Sequence, residues 1–249
     1  NDNYPVFVCL SSGYDSGAIC AALNIIGKEY YTYTIVAIEN IDIINKRLEL
    51  NKKFCLGNNV VNFTENEFNM IKKDIILESE RFIYKTHDLS GKDVVTDDDA
   101  SVGLSKICRL ASEDKIRIYL SGQGADEIMS DYSKNGQPIY HHSCFSGKYP
   151  DNLNDILSND PYCDMIWKSF YSGIQEDYIG KEEVISGRHG IEGRYPYLDK
   201  NLVQEFLSLT PELKKNAYKA PLDFFFKKYN YPYDVGIKIG FHAGHNLQK

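Results

Sequence analysis

No stretch of the 249 residues reaches the roughly 18 consecutive apolar residues that a membrane-spanning helix needs, so no membrane role is expected. An excess of positive charge is missing too: 28 Lys and Arg stand against 35 Asp and Glu, a net charge of −7 with pI near 5.4. That balance argues against work on phosphate backbones, and no nucleic-acid partner is expected, although a local basic pocket stays compatible with it. None of the six cysteines, Cys9, Cys20, Cys55, Cys108, Cys144 and Cys163, forms a C-x-x-C pair. Cys9, Cys20 and Cys108 fall in apolar patterns, which predicts buried, reduced thiols in a cytoplasmic protein rather than disulfides or a zinc site. The first residues, NDNYPVFVCL, hold neither a basic n-region nor a long apolar h-region, so no signal peptide is expected. They also hold no initiator Met, as in a fragment or a processed chain. What remains is ordinary globular composition, 43% apolar and 25% charged, in a chain long enough to bury a core without a disulfide or metal staple.

Along the first 130 residues, short apolar runs alternate with helical patterns. Strands are expected at Pro5–Leu10, Thr32–Ile38, Asn59–Phe63 and Ile116–Leu120. Helices are expected at Ser16–Ile26, Asp42–Leu56, Glu65–Tyr84 and Ser101–Ser112, with Gly27 and Gly57 as stops. Such alternation implies βαβ units: an α/β fold with a doubly wound, mostly parallel sheet. The pattern breaks near Lys134. Residues 134–160, rich in Gly, Pro, Ser, Asn and Asp, read as a variable loop between an α/β core at 1–133 and a helical C-terminal part at 161–249. Helices are expected there at Asp164–Tyr178, Lys181–Ser186, Lys200–Ser208 and Ala220–Tyr229.

Chemistry concentrates in two loops. After the first strand comes SSGYDSGAI, a Gly-bearing loop that runs straight into a helix. Loop amides and a helix N-terminus favour an anion, and Ser11, Ser12 and Ser16 add hydroxyl donors. Asp15 brings a negative charge, which suits a phosphate site only if Mg²⁺ joins the two. By itself the loop is equally a capped helix whose Asp15 serves the dipole. It is neither G-x-x-x-x-G-K-[ST] nor G-x-G-x-x-G. The second loop, SGQGADE at Ser121–Glu127, repeats the layout of strand, glycines and acid-led helix. Two strand ends each offering an Asp beside glycines are the parts of a metal–pyrophosphate clamp, or two turns with N-terminal acids.

At this point the chain resembles a known family. S-[SG]-G-x-D-S after strand one resembles the pyrophosphate loop of the N-type ATP pyrophosphatases, the adenine nucleotide alpha-hydrolase-like, PP-loop fold. SGQGADE is similar to the second signature of the asparagine synthetase branch. HGIEGRYPYLDKNLVQEFLSLTPELK (His189–Lys214) is similar to that branch's H-[SG]-[LIV]-E-x-R-x-P-[FY]-L-D signature, and IKIGF (Ile237–Phe241) resembles its K-x-G-F segment. The four segments keep the family's order from Val6 to Phe241.

The resemblance implies an ATP- and Mg²⁺-dependent, AMP-forming ligase that activates a carboxylate, aspartate or an analogue, and transfers ammonia or an amine to it. It implies that Ser11, Gly13, Asp15 and Ser16 hold the ATP phosphates, that Leu10 and Ser12 belong to the same cofactor-binding loop, that Ser121 and Gly122 line the nucleotide site and that Ile38 lies near the adenine. Asp15 and Asp126 would coordinate Mg²⁺. Lys238 would steady charge in the adenylation and amide-forming steps, and Glu192 and Arg194 would shape the pocket. Gln123 stands in the catalytic loop where asparagine-forming enzymes carry Glu, which weakens the case for asparagine as product. Ser12 replaces a common Gly. The family's glutaminase domain has no counterpart in this sequence, so nitrogen is expected free, from a separate glutaminase chain or domain, or as an amine on the substrate. A non-aspartate acid and a non-catalytic nucleotide-binding subunit remain the alternatives. His141, His142, His242 and His245 read as incidental, Asp97–Asp99 as an N-cap cluster, and the aromatics between Ala217 and Tyr233 as packing.

Overall fold

The computed structural model describes residues 4–36, 39–84, 94–129, 133–134, 137–138 and 174–236. Lys238, Ile38, His141, His142, His242, His245, Cys144, Cys163 and most of the 134–173 stretch lie outside the described residues. The elements run β1 (Val6–Cys9), α1 (Tyr14–Ile26), β2 (Tyr30–Ile35), α2 (Ile41–Asn51), β3 (Cys55–Val61), α3 (Glu65–Glu78), α4 (Ala100–Glu113), β4 (Ile118–Leu120) and α5 (Ala125–Met129). A two-residue pair follows, β5 (Ser133–Lys134) with β6 (Gln137–Pro138), then α6 (Ile174–Gly187), β7 (Glu192–Arg194), α7 (Lys200–Ser208), α8 (Pro211–Lys215) and α9 (Ala220–Tyr229). Local chemistry sets several boundaries. Gly27, at φ 70, ends α1 by donating its amide back to Leu23 and Asn24 carbonyls. The Asn40 side chain accepts from Asp42 and Ile43 amides to open α2, and Thr64 accepts from the Glu67 amide to open α3.

The main sheet has the order β3-β2-β1-β4-β7, and every pairing is parallel. The chain winds outward from β1 to β3, then returns to the other side of β1 through β4 and β7. This is a doubly wound α/β sheet whose winding reverses between β1 and β4. Alternation along β1 feeds two cores. Val6 and Val8 pack with Tyr30 and residues of α1, α5, α7 and α9 on one face. Phe7 faces the other way, with Tyr33, Ile35, Tyr119 and residues of α3, α4 and α6. Phe7 stacks on Tyr119 with ring centroids 5.2 Å apart and meets Tyr33 edge-on at 5.3 Å.

Three expectations need correction. The helix expected at Asp42–Leu56 ends at Asn51, and β3 begins at Cys55 rather than Asn59. Gly57, Asn58 and Asn59 hide the strand period, yet all three pair with β2. The helices expected to end at Tyr178 and to start at Lys181 are one continuous helix, α6, through Gly180. Glu192–Arg194 forms β7 by pairing with β4, although E-G-R has no strand propensity of its own. Among the described residues Cys9, Cys20, Cys55 and Cys108 are free thiols. Burial pushes Cys9 and Cys108 well up and Cys20 up to about 12, so these thiols are inert. No helix among the described residues is long and apolar enough to cross a membrane.

Candidate active site

The loops after β1 and β4 emerge side by side at the carboxyl ends of neighbouring strands, where the winding reverses. In open parallel sheets that crevice is the ligand site. The loops touch: a Cβ on Gly122 would lie 2.9 Å from the Cβ of Asp15, so only glycine permits the approach. Gly124 turns at φ 96, and a Cβ there would meet the Leu198 side chain at 2.5 Å.

In the first loop the amides are held by side-chain oxygens. Ser11 N–H donates to Ser16 Oγ at 3.0 Å and Gly13 N–H to Ser11 Oγ at 3.1 Å, while the two hydroxyls sit 2.7 Å apart. Both the amide and the hydroxyl of Ser12 donate to the Glu39 carboxylate. Glu39 thus sits on a donor that a phosphate would use, and an incoming anion must displace it. Ser12 is not among the residues with positive φ, so its replacement of glycine carries no backbone strain. Leu10 is buried at the loop's start.

Beneath the loop lies Arg47 of α2, fully buried. Its Nη1 donates to the carbonyls of Ser11 at 2.6 Å and Gly13 at 2.7 Å, and its Nε to Pro232 O at 2.8 Å. The guanidinium lies 5.6 Å from the Phe226 ring centroid and 5.3 Å from that of Tyr231. Burial works against its charge and lowers its pKa. By holding those carbonyls inward, Arg47 fixes which way the loop's peptide planes face. Other C-terminal contacts add to this. Tyr197 Oη donates to Asp15 O at 2.8 Å, Asn40 Nδ2 to Asp234 Oδ2 at 2.7 Å, and the Gly236 amide to Tyr14 Oη at 3.0 Å.

The acids of the two loops meet at Lys219. Its ammonium, 2% exposed, lies 2.5 Å from Asp15 Oδ1 and 2.9 Å from Asp126 Oδ1. Those two oxygens are therefore no more than about 5.4 Å apart, within the separation of about 8 Å that one shared ion with phosphate oxygens in its shell allows. Lys219 adopts φ 44, a left-handed conformation that costs a non-glycine residue energy and persists where surroundings dictate it. Among the described residues no group of three or more His, Cys, Asp or Glu is placed to hold a metal. The pair nevertheless fits Mg²⁺: two hard oxygen donors already converge on one cation, and Mg²⁺ ordinarily takes one or two carboxylates plus substrate phosphates.

On the second loop, Gln123 N–H donates to Ser121 Oγ at 3.1 Å and the Gly124 amide to Glu127 Oε2 at 3.0 Å. The Gln123 side chain donates to Glu182 of α6 at 3.4 Å. Asp98, from the expected cap cluster, accepts from the Ala100 amide at 3.1 Å and pairs with Lys181 at 2.8 Å.

Of the residues singled out in the sequence, Leu10, Ser11, Ser12, Gly13, Asp15, Ser16, Ser121, Gly122, Gln123 and Asp126 gather at this crevice. Glu192 does not. It starts β7 opposite Ile118, the first residue of β4, and its carboxylate is 62% exposed and paired with Arg194 at 2.7 Å. Sequence reasoning passed over Glu39, Arg47, Glu182, Tyr197 and Lys219. Apart from the Y-P-Y-L-D stretch around Tyr197, none sits in a recognisable motif, since each acts through a partner distant in sequence.

The family model described as asparagine synthase matches residues 1–171 and 165–229. Asparagine synthetase domain-containing protein 1 of Gallus gallus is 30% identical over 105 residues, 42% of this chain and 14% of that protein. Its Mus musculus counterpart is 28% identical over 119 residues, 45% of this chain and 16% of that protein. A putative asparagine synthetase (glutamine-hydrolyzing) 1 of Methanocaldococcus jannaschii is 27% identical over 105 residues, 42% and 16% of the two chains. The match thus spans about one sixth of these relatives' length or less. A solved structure of a predicted tRNA methyltransferase subunit from Methanocaldococcus jannaschii aligns over 95% of this chain and 100% of that one, with TM-score 0.34 and 12% identity.

Proposed function

This chain belongs to the asparagine synthase family, and on that premise we propose that it activates a small carboxylate with Mg·ATP as an acyl-adenylate and transfers nitrogen to it. The family supports ligase chemistry and ATP use in general. The observation that carries the finer reading is the convergence of Asp15 and Asp126, from two loops at the switch point, on a single cation. In this reading Ser11, Ser12, Gly13 and Ser16 bind phosphate oxygens, Ser121 and Gly122 line the nucleotide, and Ile38 lies near the adenine. Asp15 and Asp126 hold Mg²⁺, which when bound neutralises charge on the departing pyrophosphate. Lys238 would steady the same developing charge. Nitrogen comes as ammonia, as an amine, or from a glutaminase chain. Gln123, where the asparagine-forming enzymes carry Glu, favours a second reading in which the acid is not aspartate but a sugar acid or a similar carboxylate.

Acid-dependent exchange of labelled pyrophosphate into ATP tests both readings. The purified chain is assayed with Mg·ATP and a panel of carboxylates that includes L-aspartate and sugar acids. One acid is expected to drive exchange well above the acid-free background, and its identity decides between the two readings. Asp15→Asn or Asp126→Asn should lower that exchange by a factor on the order of 10²–10³. No exchange with any acid would sink the adenylating reading.

A further inference from the structure

Gln123 presents an amide at a position where the transfer of nitrogen calls for a group that can accept a proton. The structure sets another carboxyl beside it. Glu182, on α6, is 6% exposed, and its Oε1 accepts from Gln123 Nε2 at 3.4 Å. Its Oε2 is buried and makes no hydrogen bond. A carboxyl in that setting is expensive to keep, since a buried acceptor without a donor forfeits its hydration.

The neighbours do not neutralise it. Lys181, next to it in the chain, is bonded to Asp98 at 2.8 Å. Glu183 is turned to the surface and accepts from Tyr195 Oη at 2.7 Å. Cys9 of β1, Cys108 of α4 and Tyr119 of β4 face Glu182 from the sheet side and from α4, and burial keeps all three protonated. Burial also raises the Glu182 pKa, with Lys181 as the main opposing influence. A carboxylate with a raised pKa is a stronger base than an exposed one.

Two other residues of α6, Gln175 and Ser186, also have buried side-chain polar atoms without partners. Gln175, Glu182 and Ser186 are spaced i, i+7 and i+11, so they share one face of the helix. Of the three, Glu182 is the one that meets the second loop, through Gln123.

We infer that Glu182 receives the attacking nitrogen at the second loop and takes its proton, supplying the carboxylate that Gln123 does not. The inference rests on the amide-forming reading above. In the step, the neutral nitrogen of ammonia or a primary amine attacks the acyl carbon and forms the C–N bond. The bond from that carbon to the AMP oxygen breaks, AMP leaves with the electron pair, and one N–H proton passes to Glu182.

The test separates the two half-reactions in E182Q, which keeps the side chain's shape and removes the base. The acid is the one that supports exchange in the wild type, and the nitrogen probes are ammonium chloride and methylamine. Pyrophosphate exchange is expected within about twofold of wild type, while amide formation falls by a factor on the order of 10²–10³. Retained exchange also shows that the variant is folded. Should E182Q melt early, Glu182→Asp, which withdraws the carboxylate by one methylene, is read in the same way. Amide formation at the wild-type rate would overturn the inference. So would a parallel loss of exchange and transfer, which marks a structural role. Failure of the wild type to exchange with any acid is a different result: it removes the adenylating reading itself, and this inference with it.

Discussion

Lys219 combines two costs, a left-handed backbone at φ 44 and an ammonium only 2% exposed, and it is held against both by Asp15 and Asp126. Breaking a buried ion pair from one side typically costs about 3–5 kcal/mol. Here the two carboxylates are 27% and 21% exposed, so water shares the load and about 2–3 kcal/mol is expected for Lys219→Met. Mg²⁺ should recover part of that loss, because it can stand where the ammonium stood. Thermal melting of wild type and variant, each with and without MgCl₂, checks this: the variant should gain more from Mg²⁺. Equal gains would show that the acids do not share a metal. The sequence disclosed the acids and hid the lysine for a physical reason. Asp15 and Asp126 ride in glycine loops, whose chemistry is written locally. Lys219, Arg47 and Glu182 owe their meaning to contacts made across the fold, and beside each of them the sequence reads as ordinary helix or packing.

At the level of elements, the helices and inner strands were legible because burial on both faces imposes apolar runs and caps mark the ends. Strand β3 was legible only in its second half, from Asn59, and β7 not at all. The first is an edge strand with Gly57, Asn58 and Asn59 in its middle, and the second is three residues defined by pairing alone. The joint between α1 and α2 is also invisible in sequence, and it yields a prediction with opposed contributions. Gly17 lies within α1, where Ala would ordinarily stabilise by about 1 kcal/mol. Its added Cβ, however, would meet three guanidinium atoms of Arg47 at 2.5–2.6 Å. That guanidinium is bonded to three carbonyls and set against two rings, so it cannot yield. Overpacking of this kind costs about 1–3 kcal/mol, and the upper end applies. Gly17→Ala should therefore lower the urea midpoint by the equivalent of about 1–2 kcal/mol. A higher midpoint would mean that Arg47 is free to move.

Taken as a whole molecule, the C-terminal half is not a separate body. It contributes β7 to the sheet, residues of α7 and α9 to the core that also holds Val6 and Val8, and contacts that clasp the first loop. Unfolding in urea should therefore be one transition, with far-UV circular dichroism and tyrosine fluorescence coincident. Two separated midpoints would show that the halves come apart independently. The strut from Arg47 to Pro232 has a consequence for how the protein is made. A ribosome delivers the amino end first, so both glycine loops leave the exit tunnel long before Phe226, Tyr231 and Pro232 exist. Until those three residues arrive, Arg47 has no rings to lie against and its hold on the carbonyls of Ser11 and Gly13 is not braced. A nascent chain that carries both glycine loops but not yet residues 226–232 thus lacks the strut that sets the first loop, and the loop's peptide planes are fixed only when that segment has folded back onto α2.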